Sequence, residues 1–196
     1  LPHEHTFFEL IYVYNGKCSQ NISGQNITMH TGDLCIVPPE ITHSISVFDD
    51  SIIFNVMIRR DTLHSNFYHF LNTNNKLSSF FLNDIYARKS NDYIIFHTGS
   101  DKELKEAFIW IYWEQINKGQ FYYECIISTL TLCFYLLVRN YSDSAQMPTF
   151  SKKIDVQRYA LIRFIQENYK NISLSDIAEH FHYTPEYVSK LIKEAT

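Results

Sequence analysis

Residues 172–196, ISLSDIAEHFHYTPEYVSKLIKEAT, are the stretch on which the organisation of the chain turns. Ser173 is an N-cap residue, and Asp176 three positions later completes a variant capping box. Leu174, Ile177, Ala178 and Phe181 then recur at i, i+3, i+4 and i+7, the apolar face of a short helix. His182-Tyr183 makes the break, Thr184 caps a second helix, and Pro185 is its first residue. In that second helix Val188, Leu191 and Ile192 point one way, while Glu186, Ser189, Lys190 and Lys193 share the opposite stripe. Two short helices, a tight turn and a small residue, Ala178, where they approach closely form a helix-turn-helix pattern.

Upstream, Ile154 to Tyr169 is an amphipathic helix carrying Ile154, Tyr159, Ile162, Phe164 and Ile165. It is preceded by residues 140–151, NYSDSAQMPTFS, a polar stretch with Pro148 and no periodicity, hence a linker. Before the linker, residues 121–138 are apolar almost all round, with Glu124 the sole charge. The run falls short of the ~20 residues a membrane span needs and holds Ser128, Thr129 and Thr131, so a span is set aside. A helix apolar on both sides is expected to be buried on both sides. One face packs on the rest of the chain and the other on a second copy. A further long helix opens at Asp101, with Leu104, Phe108, Ile111 and Gln115 on one face, Ala107, Trp110 and Trp113 widening it, and Gly119 ending it.

The first 58 residues have a different rhythm. Residues 7–14, FFELIYVY, form a strand ending at Asn15-Gly16, a hairpin signal. Cys18 to Ile22, Gln25 to Met29, Leu34 to Val37 and Ile52 to Ile58 follow as short strands separated by turn residues. Such spacing implies a sandwich or barrel. Arg60 to Leu71 is a candidate helix, broken at Asn72-Thr73-Asn74-Asn75. Residues 91–98, NDYIIFHT, return to the strand frame before Gly99, and His97 at that strand's end is assigned a structural role.

Composition sets limits. The 196 residues are 45% hydrophobic and 19% charged, ordinary for a globular chain with a real core. The formal net charge of −4 argues against nucleic-acid binding through bulk electrostatics. The balance is uneven, however, with seven Lys/Arg against six Asp/Glu from Ser151 onward and 10 against 15 before it. Cys18, Cys35, Cys125 and Cys133 show neither CxxC nor finger spacing and read as small buried hydrophobes in a reducing cytoplasm. The chain opens on Leu1 and stops just after the second short helix, which reads as a segment of a longer protein.

The polar residues on the strand frame carry the chemistry. His3, His5, Glu9 and Gly16 give H-x-H-x3-E-x6-G, and Gly32, Pro38 and His43 give G-x5-P-x4-H. Together these resemble the two halves of the cupin motif, departing from it at Glu40, where cupins often have Gly, and at Val47, where they often have Asn. His3, His5, Glu9 and His43 stand at the cupin metal-ligand positions. Strand alternation puts the first three on one face. Three imidazoles and a carboxylate suit a divalent metal such as Zn, Fe, Mn, Ni or Cu. The same residues suit hydrogen bonding to an organic ligand such as a sugar or polar acid.

With the order of barrel, helical pair, linker and helix-turn-helix, the chain resembles the AraC/XylS family of bacterial transcription regulators. The resemblance is specific in the barrel half and in IAEHFHYTPEYVSKLIKE, and weak between Arg59 and Gly99. It implies an α+β fold: a cupin-like β-barrel (double-stranded β-helix), then dimerisation helices, then a partial all-α helix-turn-helix domain. The expected boundaries are an effector-sensing barrel at 1–100, a dimerisation region at 101–140, a linker at 141–151, and at 152–196 the first of the family's two helix-turn-helix units. The implied function is that of a cytoplasmic, non-enzymatic regulator binding an effector through His3, His5, Glu9 and His43. Its implied partners are promoter DNA (in the full-length protein, with the second helix-turn-helix that is missing here), a small polar effector and a second copy, with no membrane. DNA would be read by the helix 185–194, with Glu186, Ser189 and Lys190 facing bases and Thr184 and Lys193 facing phosphates. Tyr187 would pack or touch a phosphate. The rival reading is a cupin metalloenzyme of dioxygenase or isomerase type using the same four barrel residues.

Overall fold

The computed structural model describes residues 1–87, 93–147, 161, 164–165 and 168–195. Among the described residues, seven strands form two antiparallel sheets. β1 (Phe7–Asn15), β4 (Asp33–Val37), β6 (Ile52–Arg59) and β7 (Ile94–His97) make one, in the order β6-β1-β4-β7. β2 (Lys17–Ile22), β3 (Gln25–His30) and β5 (His43–Val47) make the other, in the order β3-β2-β5.

The four-stranded sheet is the middle layer, which explains the near-continuous apolar run of β1. Phe8, Leu10 and Tyr12 face a helical layer, while Ile11 and Val13, with Glu9 between Phe8 and Leu10, alternate to the other side, towards the second sheet. Every residue of β4 is buried for the same reason. The fold class is therefore mixed α+β, with antiparallel β structure first and helices after. Two glycines make its turns workable. Gly16 has φ +86°, and a Cβ there would sit 2.2 Å from Ser51 Oγ. Gly32 has φ +88°, and a Cβ would meet the Gly99 carbonyl oxygen at 1.8 Å.

The helical layer holds α1 (Arg60–Asn66), α2 (Tyr68–Leu71), α3 (Lys76–Ala87), α4 (Lys102–Asn117) and α5 (Tyr122–Tyr141). The single helix expected over 60–71 is thus two, divided at Phe67. β5 and α3 were not expected. α4 starts as expected, with Asp101 accepting from the Leu104 N–H, but Lys118 at φ 47°, one residue before Gly119, is its left-handed stop. Gln115, expected on its apolar face, is exposed. α5 is 20 residues long, enough by length and composition to cross a membrane. One face of it is packed: Leu130, Cys133, Phe134 and Leu137 lie in the core, where Phe134 meets Phe67, Phe70 and Phe81 at ring separations of 5.1–5.3 Å. Past α5, Gln146 forms an antiparallel bridge with Ile95 at the edge of β7, both hydrogen bonds 2.9 Å.

The C-terminal unit contains α6 (Leu174–Phe181) and α7 (Pro185–Ala195). The capping box is reciprocal: Ser173 Oγ accepts from Asp176 N–H at 3.2 Å and Asp176 Oδ2 accepts from Ser173 N–H at 2.8 Å. His182 turns the chain in the left-handed region, φ 55°, and Thr184 Oγ1 accepts from Tyr187 N–H. Ile177, Ala178, Val188 and Leu191 are buried together with Leu161. Leu174, expected in this core, is 39% exposed instead. Most of the helix expected over 154–169 lies outside the described residues, as do positions 148–151 of the expected linker.

Candidate functional site

His3, His5, Glu9 and His43 are brought together. The extended N-terminal segment pairs with β5, His3 and His43 exchanging backbone hydrogen bonds of 2.9 and 3.0 Å. The His5 carbonyl accepts from Glu40 N–H at 2.8 Å. Glu40 sits at φ 65°, a backbone conformation that explains why glycine often stands at this position in cupins. On β1, Glu9 lies on the inner face, opposite Met57 of β6.

The carboxylate gathers three donors. His43 Nε2 donates to Glu9 Oε2 at 2.7 Å, His5 Nε2 to the same oxygen at 2.9 Å, and the Asn55 amide to Oε1. His43 Nδ1 meets the Ile41 carbonyl at 2.9 Å. Both nitrogens of His43 therefore face acceptors, so the ring is an imidazolium paired with an ionised Glu9. The titration behaviour agrees. Burial pushes the Glu9 carboxyl up, but hydrogen bonds from His43, Asn55 and His5 outweigh it and bring its pKa down to about 2. Burial pushes His43 down, yet its bonds to Glu9 and the Ile41 carbonyl raise it above the ordinary value.

The donor set fits a divalent cation. His3, Glu9 and His43 offer ligand atoms within 4.8 Å of one another. Ligands around a tetrahedral ion with bonds of ~2.1 Å stand ~3.4 Å apart, so the His43–Glu9 contact would spread by roughly 0.7 Å. The His43 bond to Ile41 is the kind of outer hydrogen bond that orients a metal-binding imidazole. His97, by contrast, pairs through Nδ1 with the buried Asp33 at 2.7 Å, which also accepts from His30 N–H.

A second cluster lies on the C-terminal unit. Glu186, Ser189, Lys190 and Lys193 of α7 line one groove of about 620 Å³ with Pro185 and Leu174. Leu174 is exposed because it belongs to this face, not to the core between the helices. Thr184 is exposed at the head of α7, and Tyr187 is exposed with its ring edge-on to Tyr183, 5.0 Å away.

Three residues of the strand site escaped sequence reasoning: Asn55, Gln20 and Arg60. Asn55 is the one polar residue in the β6 run IIFNVMI, a signal that was available. Gln20 is an inward amide between Cys18 and Ile22 on β2. Arg60 ties α1 to buried Asp84 of α3 at 2.9 Å and to Glu40 at 3.1 Å.

Residues 2–59 match the family model described as AraC-like ligand binding domain. This part of the chain is similar to AraC-like ligand-binding domains. No curated protein sequence matches the chain. Among solved structures, an apo ToxT variant from Vibrio cholerae is similar over 98% of this chain and 68% of its own, at 11% identity and TM-score 0.47. ToxT bound to an unsaturated fatty acid gives 12% identity and TM-score 0.43 over 98% and 66% of the two chains. The AraC-like transcriptional activator CuxR gives 11% and 0.38 over 96% and 61%. The matched residues span β1 to β6 and include all four of the clustered residues as well as Asn55.

Proposed function

We propose that the protein is a ligand-responsive, sequence-specific DNA-binding transcription regulator, not an enzyme, working in the cytoplasm. The observation that carries this reading is the joining, in one chain, of an AraC-like ligand-binding domain to a capped helix-turn-helix. The polar stripe of that unit lines a single groove. In this reading residues 1–100 sense the effector, 101–140 associate with a second copy, 141–151 link, and 152–196 contact promoter DNA. The effector is a small molecule held near His3, His5, Glu9 and His43. DNA is met by α7: Lys190 addresses guanine O6/N7, Glu186 accepts from a cytosine amino group, and Ser189 tolerates either. Thr184, Lys193 and Tyr187 lie at the phosphates.

A homodimer is supported by the outer face of α4 and α5, where Trp110, Trp113, Ile116, Leu132 and Tyr135 are exposed. Glu103, Glu106 and Arg139 border the same apolar groove, and Lys102 and Lys105 the next one. A face carrying both signs of charge is self-complementary in an isologous pair. Should a divalent cation occupy the strand site, His3, Glu9 and His43 would hold it with His5 beside them, and it would supply Lewis acidity there.

The test is selection of preferred duplexes from a random pool by the purified protein, followed by titration of the enriched sequence. Lys190→Ala should lose roughly 1–3 kcal/mol and relax preference at one base, while Lys193→Ala should weaken all sequences alike. Absence of any enriched sequence, together with tightly held metal and turnover of a small organic acid, would instead establish the cupin metalloenzyme.

A further inference from the structure

An open sheet presents unpaired N–H and C=O groups along each outer strand, and something has to meet or discourage them. The two sheets leave four edge strands, β3 and β5 in one and β6 and β7 in the other. Three of them are managed within the chain. His3 pairs with His43 along the outer side of β5, and Gln146 pairs with Ile95 along the outer side of β7. β3, QNITMH, is polar and approaches β4, and Gln25 at its start accepts from the Tyr93 hydroxyl at 3.1 Å. β6 is the exception. It pairs with β1 from end to end, and among the described residues no strand lies on its other side.

β6 also lacks the devices that keep an open edge from pairing. Its sequence, IIFNVMIR, holds neither charge nor proline before Arg59. Ile52 and Met57 alternate to opposite faces of the strand, yet are 48% and 62% exposed. The apolar strip continues onto α4. Tyr112 rests on Phe54, ring centroids 5.6 Å apart, while itself 52% exposed, and Ile116 one turn on is 56% exposed. Trp110 belongs elsewhere, lining the groove that α4 forms with Leu132 and Leu136 of α5.

The charges sit at the two ends of β6. Asp49 and Asp50 precede it, and Arg59 and Arg60 follow its last apolar residue. A parallel copy of the strand would set acid on acid and base on base. An antiparallel copy reverses the order. A two-fold axis perpendicular to the sheet keeps every side chain on its own face, so the pairing centres on a residue. Centred on Phe54, it sets Asp49 opposite Arg59. Centred on Asn55, it sets Asp50 opposite Arg60, Ile52 opposite Ile58 and Ile53 opposite Met57. Symmetry doubles each of these pairs.

We propose that the outer edge of β6 docks the same strand of a second copy, antiparallel, joining the two four-stranded sheets into one. Tyr112 and Ile116 of each copy extend the contact on the helical side. A strand of an unrelated protein can meet the same backbone groups, but the acidic start and basic end of β6 match each other. This contact is separate from the outer face of α4 and α5 assigned to the homodimer, and it does not depend on the regulator reading. A chain that uses both contacts assembles beyond a dimer.

The test is sedimentation equilibrium of the full chain as wild type, Trp113→Glu, Ile52→Lys and the two combined. Hydrogen exchange of β6 is followed beside it as protein concentration is raised. In Trp113→Glu, which disables the outer helical face, a monomer–dimer equilibrium should remain, and exchange over residues 52–58 should slow with concentration. Adding Ile52→Lys should raise the Kd of that dimer roughly tenfold or more, because each paired sheet then holds two ammonium groups. The monomer's melting curve should not move, since Ile52 is half exposed. Asp50→Lys and Arg59→Asp, both at exposed positions, should each weaken the dimer roughly threefold or more, and together they should recover it with the signs exchanged. A Trp113→Glu protein that is monomeric beside an associating wild type overturns this inference and leaves the helical contact standing. A dimer that Ile52→Lys leaves unchanged overturns it too. So does exchange over residues 52–58 that is already slow in the monomer, which means that another segment of the chain covers the edge. A monomeric wild type overturns both self-contacts and leaves the edge to a strand of another protein.

Discussion

Replacing Glu9 by Gln should show how much the buried polar cluster contributes to stability, and in which pH range. Glu9 is 5% exposed and its carboxylate takes hydrogen bonds from His43, His5 and Asn55. Lowering its pKa from 4.5 to about 2 corresponds to about 3 kcal/mol of stability. For this group the stability is fully present above pH 4.5 and is lost as pH falls through about 2. His43 has the opposite sign: its folded pKa is raised, so its contribution is complete below 6.5 and fades as pH rises through the folded value. Both are complete between pH 4.5 and 6.5. In that window Glu9→Gln leaves His43 with donors that one amide oxygen cannot satisfy, and breaking a buried pair costs roughly 3–5 kcal/mol. For a chain of this length that is roughly 6–20 °C in melting temperature. The assay is thermal unfolding by circular dichroism at pH 5.5 and pH 8.5. The wild type should lose stability from the first pH to the second, and the variant should lose less. Adding His43→Asn to Glu9→Gln should cost less than the two single changes summed. Additivity, or a Glu9→Gln protein within half a degree of the wild type at pH 5.5, would refute the reasoning.

Three further outcomes are expected. Gly32→Ala should destabilise by more than about 3 kcal/mol in urea unfolding, because φ is +88° and the new methyl would collide with the Gly99 carbonyl. Ser173→Ala should cost about 1 kcal/mol, read as a lower melting point of the C-terminal helices, since it removes the acceptor for Asp176 N–H. Trp113→Glu, at a position 59% exposed on α4, should leave the melting curve of the monomer unchanged and lower the mass measured by sedimentation equilibrium; an unchanged mass would exclude this face as the dimer contact.

How much of this was legible in the sequence can be told element by element. β1 was plain because it is buried on both faces and ends at Asn15-Gly16. β5, HSISV, is only five residues long, and Ser44 and Ser46 dilute its alternation. α3 hid for a more instructive reason. Leu77, Phe80 and Phe81 follow helical spacing, but the next position of that stripe is Asp84, a carboxylate that is 2% exposed and tolerated because Arg60 reaches it. A charged residue on a buried stripe breaks the pattern that reveals a helix. The four clustered residues at the strand site were foreseeable from their spacing. Asn55 stood out as the one polar residue of an apolar strand but was not singled out, and Gln20, on the polar-rich strand KCSQNI, acquires meaning only from the strand opposite. Leu174 shows the reverse error: helical periodicity places it on the core stripe, but it lines the groove beside Glu186 and Lys190 of α7 instead of the core between the two helices.

The bridge between Gln146 and Ile95 also has a mechanical meaning. Tension arriving along the backbone from beyond Met147 reaches β7 through two hydrogen bonds before it is felt at α5. β7 is an edge strand held by β4, and Ile95 packs in the interior between the two sheets. A pull on the chain there is therefore borne by a strand whose inner side touches the core between the two sheets. Because a single bridge peels one bond at a time, that connection yields before the ladder behind it does. The chain leaves the sheet through a weak, releasable clip.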